Sequence, residues 1–178
     1  PYFMWAACDD VWLPEYVEKN LSALESTPEA ICSVSQVEFV GPDTEKVQKL
    51  KGGTFPLEGS PGENLLTYLD APQANTRFYG IHRTSVIRRC VTSDESYIAS
   101  DWVIMARTLA FGTHHEVPEV LIRRGARGSS MDITKLIFEM NPSWISRHIF
   151  PMWPMTRRIL GEPGIPVEQV FKRVRGDV

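Results

Sequence analysis

The sequence has 178 residues, of which 43% are hydrophobic, enough for one ordinary domain with a buried core. Its formal net charge of -3 gives no reason to expect a nucleic-acid partner. The charge is uneven, because residues 1–120 carry 9 basic and 17 acidic side chains whereas residues 121–178 carry 10 basic and 5 acidic ones. This distribution predicts an acidic body followed by a basic extension.

The three cysteines, Cys8, Cys32 and Cys90, are widely spaced and form no Cys-x-x-Cys motif. We interpret them as reduced rather than as a disulfide or zinc set, which favours a cytoplasmic protein. No signal peptide is visible, and no apolar run approaches the ~18 residues of a membrane-spanning helix. The apolar start at Pro1, without an initiator Met, suggests a fragment of something longer.

The first quarter of the chain alternates between strand and helix patterns. Residues 2–8 are apolar without a break, as in a strand buried on both faces. Pro14 then opens a helix with apolar residues at three- and four-residue spacing. Residues 31–40 alternate as a strand does, and residues 41–62, polar and rich in Gly and Pro, predict a surface loop.

The remaining elements are shorter, except for one apolar helix. Three short elements are predicted: a helix at 63–69, a strand at 78–81 and a helix at 83–90. Ser100 and Asp101 open a helix that is apolar on nearly all sides and ends at Gly112, so it belongs in the core. A strand at 115–122 follows, and two or three amphipathic helices broken by prolines follow residue 131.

This alternation predicts an α/β fold with a small mixed sheet flanked by helices and a helical C-terminal tail. We divide the chain into a main part, residues 1–130, and a basic helical extension, residues 131–178. The exposed edge of the first strand could be covered by another copy of the chain, which would make a homodimer.

Two adjacent carboxylates, Asp9 and Asp10, follow the first predicted strand. Carboxylates held rigidly at a strand end cannot easily neutralise each other, so the pair invites a cation. Asp is also a favoured N-cap residue, although the helix predicted from Pro14 begins too late for both to cap it. Both interpretations stay open on spacing alone.

Asp101 lies at the start of the apolar helix. A carboxylate there gains a few tenths to about 1 kcal/mol from the helix dipole, and Ser100 is the more natural cap. The functional alternative is a general base projected from a rigid helix into a cleft.

The arginines Arg123, Arg124 and Arg127 lie among glycines and serines. Guanidinium groups match phosphate oxygens and glycines allow close approach of the backbone, so the segment could bind a diphosphate. A solvated loop is an equal alternative.

Two further segments have competing interpretations. His114 and His115 would point to opposite faces of a strand and could not chelate one ion, so we favour an exposed turn. The segment 144–153 mixes aromatic and basic residues, which suits an interfacial membrane segment, or a helix packed on the core or on a missing part of the protein. Packing is the favoured interpretation.

Four blocks occur in a fixed order, and they read DDVWLPEYV at 9–17, RFYGIHRTS at 77–85, SDWVI at 100–104 and VPEVLIRR at 117–124. Over about residues 2–130, the order and spacing of these blocks resemble the second half of a family 2 glycosyltransferase with the GT-A fold. The resemblance implies a partial GT-A-like fold. It also implies inverting transfer of a sugar from a nucleotide-sugar donor to a hydroxyl of a saccharide or glycolipid acceptor, in polysaccharide or glycoconjugate synthesis.

The resemblance also implies residue roles. The family's acidic motif falls on Asp9 and Asp10, with Asp10 facing a Mg²⁺ or Mn²⁺ ion bound to the donor diphosphate. Its general base falls on Asp101, beside Trp102 on the acceptor side.

The second arginine of the last block, Arg124, would contact the diphosphate together with Arg127. Relatives often carry a His shortly after that position, where this chain has Ala126, and Arg127 could take over the contact. Such a protein would work in the cytoplasm, at the inner face of the membrane if its tail makes peripheral contact there.

The family's first half, which holds the nucleotide, would precede Pro1, so we expect the isolated chain to be inactive or nearly so. The alternative is a non-catalytic carbohydrate-binding or interaction module derived from the same fold. A nucleotidyltransferase, which also places carboxylates around a metal, is a third possibility.

Overall fold

The computed structural model of the chain describes residues 1–40, 54–70, 75–93, 97–125, 133–141 and 143–161. Two predicted features, Arg127 and Ala126, lie outside these residues, as does most of the predicted loop at 41–62. The described part is an α/β fold with a five-stranded mixed sheet and a helical C-terminal part, as the sequence predicted.

The strands are β1 (Tyr2–Phe3), β2 (Val11–Trp12), β3 (Ala30–Val40), β4 (Ile81–Arg83) and β5 (Thr113–Gly125). They lie in the order β1-β4-β3-β5-β2. The two long strands, β3 and β5, are parallel neighbours at the centre, and the short strands add antiparallel pairs on either side.

The helices are α1 (Tyr16–Ser26), α2 (Pro61–Asp70), α3 (Thr84–Cys90), α4 (Ser100–Thr108), α5 (Ile133–Met140), α6 (Trp144–His148) and α7 (Trp153–Leu160), with a 3₁₀ turn at Thr76–Tyr79. None of these helices, in the ranges described, is long and apolar enough to cross a membrane. All three cysteines are free thiols, with Cys8 exposed and the other two buried.

Two apolar clusters form the core. The cluster around α1 and the sheet contains Tyr16, Leu24, Ala30, Ile81, Val117, Leu121 and Ile122. The larger cluster joins α2, α3, α4 and α7 through Leu57, Leu65, Tyr68, Ile87, Cys90, Tyr97, Val103, Ile104, Met105, Ala106, Leu109 and Ile159. Four consecutive residues of α4 are buried, which confirms its prediction as a core helix.

The predicted strand at residues 2–8 is wrong in length and burial, because only β1 is a strand and it lies at the sheet edge. The apolar run instead packs ring on ring. Trp5 stacks on Phe78 with ring centroids 4.1 Å apart, and Phe3 meets Trp5 edge-on at 4.7 Å. The apolar run is therefore only partly covered, and aromatic contacts rather than two neighbouring strands cover it.

The prediction at residues 78–81 is also wrong in part, since the 3₁₀ turn occupies most of that range before β4 begins. Gly80 joins the two at a close approach to β3. A Cβ on Gly80 would lie 2.7 Å from the carbonyl oxygen of Ser33 and 2.9 Å from Sγ of Cys32, so glycine is required there.

The exposed turn predicted at His114 and His115 is wrong, because both residues belong to β5 and His114 is fully buried. The end of the predicted surface loop also differs from expectation. Leu57 is 1% exposed and exchanges backbone hydrogen bonds with His114. Burial at these positions depends on long-range partners, which local polarity does not reveal.

Of the C-terminal helices, α7 packs on the core whereas α6 leaves apolar side chains exposed. α7 packs on α4 and contributes the buried Ile159, and Pro154 lies in its first turn rather than breaking it. α6 instead exposes Trp144 and Ile145. Most of the segment 144–153 is therefore exposed, so its packing on the described core is wrong, and packing on a missing part of the protein stays a prediction.

Candidate functional site

Asp101 lies in the first turn of α4, which follows Ala99 in the left-handed conformation (φ 62°). Its Oδ2 accepts a hydrogen bond of 2.7 Å from Nδ2 of Asn75. Burial raises the pKa of Asp101 above its ordinary value, opposed by this bond, by the backbone amides of Asp101 and Trp102, and by the charge of Arg124. The carboxylate is thus held in place and made more basic than a solvated one.

Asn75 is the residue that positions this carboxylate. It is 2% exposed and has left-handed backbone angles (φ 44°), which asparagine tolerates better than most residues. Its Oδ1 accepts a 2.7 Å hydrogen bond from the hydroxyl of Tyr68. Because an ionised carboxylate can only accept, the Nδ2 end of the Asn75 amide must face Asp101, and its oxygen therefore accepts from Tyr68.

Asp10 and Arg124 form an ion pair on the neighbouring edge of the sheet. Pairing of β2 with β5 sets Val11 opposite Arg123 and so brings Asp10 close to Arg124. Nε of Arg124 lies 3.1 Å from Oδ2 of Asp10, and the two side chains are 16% and 3% exposed. Burial raises the pKa of Asp10, and the charge of Arg124 opposes that rise.

Arg124 also connects Asp10 to the segment that holds Asp101. Its Nη1 donates to Oγ1 of Thr76 at 3.3 Å, and its guanidinium lies 4.5 Å from the ring centroid of Tyr79. Because Thr76 directly follows Asn75, a polar row runs from Asp10 through Arg124, Thr76 and Asn75 to Asp101. We call these five residues the polar row.

The remaining predicted site residues lie beside the polar row or outside the described structure. Asp9 is exposed in the turn before β2. Trp102 is half-buried next to Asp101, and its ring stacks on Tyr68 with centroids 4.9 Å apart. Arg127 lies outside the described residues. The structure therefore brings together Asp10, Arg124 and Asp101, with Trp102 adjacent.

A divalent cation would have to rely on few protein ligands here. Among the residues that the structure describes, no three His, Cys, Asp or Glu side chains are grouped to hold a metal. Mg²⁺ is commonly held by only one or two carboxylates plus substrate phosphates, so Asp9 and Asp10 fit that mode. The carboxylate of Asp10 already accepts from Arg124 and from the backbone of Gly125, so Asp9 and Asp10 would hold a cation only together with phosphate oxygens.

Arg77, the first residue of one resemblance block, directly follows Thr76 of the polar row and is held by its own hydrogen bonds in the core. It is fully buried, donates to the carbonyl of Phe55 at 3.1 Å and lies 4.7 Å above that ring. Its Nη1 lies 3.3 Å from Nδ1 of His114, which must accept because a guanidinium only donates. Nε2 of His114 then donates to Thr108. This network is structural and does not reach solvent.

Sequence reasoning missed Tyr68, Asn75, Thr76 and Tyr79. One signal was available, since asparagine is enriched where the backbone is left-handed. Sequence could not show that this asparagine would face Asp101, because that contact depends on how α4 packs beside the 3₁₀ turn.

No protein-family model matches the chain, and no curated protein matches it either. The polar row and the resemblance of the four sequence blocks are therefore the features that point to a function.

Proposed function

We propose that the chain is the catalytic and acceptor-side half of an inverting, metal-dependent glycosyltransferase that uses a nucleotide-sugar donor. The observation that supports this proposal is the polar row. It places a half-buried carboxylate, Asp101, at one end and an acid–arginine pair, Asp10 and Arg124, at the other. Transfer from a diphosphate donor needs a base on the acceptor side and charge neutralisation on the donor side. The row offers both.

Asp101 is the proposed general base. It would take the proton of an acceptor hydroxyl as that oxygen attacks the anomeric carbon, while the bond from that carbon to the diphosphate oxygen breaks. The raised pKa suits this task, because a base works best when its pKa approaches the working pH. A single displacement of this kind inverts the anomeric centre.

The donor side would be formed by Arg124, Asp10 and Asp9, together with Arg127. Arg124 would bind diphosphate oxygens through its guanidinium, held in place by Asp10 and Thr76. Asp10 and Asp9 would hold Mg²⁺ or Mn²⁺. Such a cation, when bound, neutralises the leaving nucleoside diphosphate.

The acceptor side would use Trp102. Its half-buried ring, stacked on Tyr68, is rigid and lies next to the proposed base, so one face of a sugar ring could pack on it. The acceptor class remains a saccharide or glycolipid, and the proposed location is the cytoplasm, at the inner face of the membrane.

The decisive experiment is Asp101→Asn in the product of the complete open reading frame that contains this chain. We expect sugar transfer to fall by about 10²–10⁴-fold, as loss of a general base does, with Mn²⁺-dependent calorimetric binding of the nucleotide sugar retained. The control is Glu18→Gln, which removes an acidic group from the first turn of α1. Near-normal turnover of Asp101→Asn would contradict the proposed role.

The second candidate is a non-catalytic carbohydrate-binding module, which the half-buried Trp102 beside a carboxylate favours. This function predicts saccharide-dependent quenching of tryptophan fluorescence without any donor turnover. Trp102→Ala would abolish the quenching. If Asp101→Asn leaves a saccharide affinity intact in a protein that never consumes a donor, the binding module is the better description.

A further inference from the structure

Exposed apolar side chains are concentrated in one short part of the chain. Seven of the 13 exposed large hydrophobic residues in the described ranges fall between positions 138 and 153: Phe138, Trp144, Ile145, Ile149, Phe150, Met152 and Trp153. We call these seven residues the apolar surface. Four of the seven are aromatic, so the surface is large as well as apolar.

The apolar surface continues from α5 to α6 through a stack of rings. His148 stacks on Trp144 with ring centroids 5.0 Å apart and meets Phe138 edge-on at 5.1 Å. Trp144 is nevertheless 64% exposed and Phe150 is 61% exposed. Phe138, His148 and Trp144 thus contact one another, and the described body of the protein leaves Trp144 and Phe150 largely uncovered.

Polar contacts hold this segment in a defined shape. Ser143 caps α6 in a reciprocal arrangement with Ser146. The buried Asn141 donates to the carbonyls of Ser146 and Pro151 at 2.8 and 2.9 Å, and its Oδ1 accepts from the amide of Ile98 at 3.3 Å. The apolar side chains therefore lie on a scaffold anchored to the body, not on a frayed end.

The charge around the apolar surface is positive. Described residues 133–161 carry four basic side chains, Lys135, Arg147, Arg157 and Arg158, against the single acid Glu139. That acid is paired with Lys135 at 3.7 Å. Residues 1–120, by contrast, carry 17 acidic side chains against 9 basic ones. A partner that is apolar inside and negative at its surface is thus complementary to this segment, and not to the acidic residues 1–120.

We propose that the apolar surface inserts into the interface of a bilayer containing anionic phospholipids. Tryptophan is enriched at the headgroup level of membranes, and basic residues next to apolar ones are attracted to anionic lipids. A second copy of the chain fits less well, since a symmetric contact would bring two positive segments together. The attachment is peripheral and does not depend on the proposed enzymatic function.

The test is co-sedimentation of the chain with vesicles of phosphatidylcholine and phosphatidylglycerol in equal parts, and with phosphatidylcholine alone. We expect stronger binding to the anionic vesicles, lost at high salt, with a blue shift of tryptophan fluorescence. Trp144→Ser with Trp153→Ser should lower the partition coefficient about tenfold or more, since each removes exposed aromatic area. The matched control is Phe111→Ser, an exposed aromatic residue outside the apolar surface.

A charge variant keeps the proposal testable if the double variant does not fold. Arg157 is exposed, so Arg157→Glu should leave folding intact and weaken binding to anionic vesicles. Equal sedimentation of the parent and both variants would overturn the proposal. So would a dimer in sedimentation velocity that the tryptophan variants dissociate, combined with no vesicle binding, because the surface would then belong to a second copy.

Discussion

The side-chain amide of Asn75 donates a hydrogen bond of 2.7 Å to the carboxylate of Asp101. This bond stabilises the ionised carboxylate and so lowers a pKa that burial raises. We predict that Asn75→Gly, which keeps the left-handed backbone accessible, raises the pKa of Asp101 further. Carboxyl ¹³C NMR titration of Asp101 measures the change.

Two companion variants separate positioning from general loss of packing. Asn75→Asp places a second carboxyl group beside Asp101 and should raise its pKa further than Asn75→Gly does. Tyr68→Phe leaves Asn75 in place but removes the donor to its Oδ1. It should therefore lower the free energy of unfolding, and should change the pKa of Asp101 less than Asn75→Gly does. An unchanged Asp101 titration in Asn75→Gly would show that the bond does not position the carboxylate.

The Asp10–Arg124 pair gives a second prediction, because its side chains are only 3% and 16% exposed. Arg124→Met should leave the carboxylate of Asp10 buried without its counter-ion, raise its pKa and destabilise the fold by about 3 kcal/mol. Chemical denaturation and NMR titration of Asp10 measure both effects.

Arg123→Met is the matched control for this variant. The neighbouring Arg123 is 53% exposed and pairs with Glu38 at 2.9 Å. An exposed ion pair contributes little to folding stability, so Arg123→Met should lower the free energy of unfolding by less than about 1 kcal/mol. Equal losses for the two arginine variants would contradict the assignment of Arg124 to a buried pair.

The sequence predicted the long elements better than the short ones. β3, α4 and β5 carry enough residues for their apolar pattern to be visible, and their existence and type were predicted correctly. β1 and β2 have two residues each, too few to show any period. The burial of His114 depends on Arg77, 37 residues away, which a local pattern cannot reveal.

The candidate site was predictable only in part, for a related reason. Asp10 and Asp101 were found as carboxylates at element ends, and only the resemblance of the sequence blocks placed them in one site. The contact of Asp10 with Arg124 spans 114 residues. The role of Asn75 arises from a backbone conformation and from two side-chain partners, none of which its neighbours in sequence determine.

Two buried histidines make stability depend on pH. Burial lowers the pKa of His82 to about 4 and that of His114 well below its ordinary value. Between about pH 4 and the ordinary 6.5, the unfolded chain therefore binds protons that the folded chain does not, so stability falls as pH decreases. For His82 the loss across this window is about 3 kcal/mol, measurable by denaturation at several pH values.

His82→Gln isolates this effect, since glutamine can still donate to the carbonyl of Phe78 that Nε2 of His82 contacts at 3.2 Å. The raised pKa values of Asp10 and Asp101 act in the opposite direction, because their stabilisation is lost as pH rises through the folded values. Subtracting the pH profile of His82→Gln from that of the parent removes the carboxylate effects. Parallel profiles between pH 4 and 6.5 would contradict a neutral buried His82.

Gly112 directly precedes β5 and lies against the start of β3, and its lack of a side chain is required by that contact. A Cβ there would clash with the carbonyl oxygen of Glu29 and lie 2.7 Å from Cγ2 of Ile31. Since the obstructing groups include backbone, Gly112→Ala should destabilise the fold by about 2–3 kcal/mol. Gly161→Ala is the control, because its Cβ would lie at ordinary contact distance, 3.4 Å from the nearest oxygen. Thermal unfolding of both variants measures the difference, and a Gly112→Ala protein as stable as the control would mean that the residue before β5 does not approach the start of β3 as closely as described.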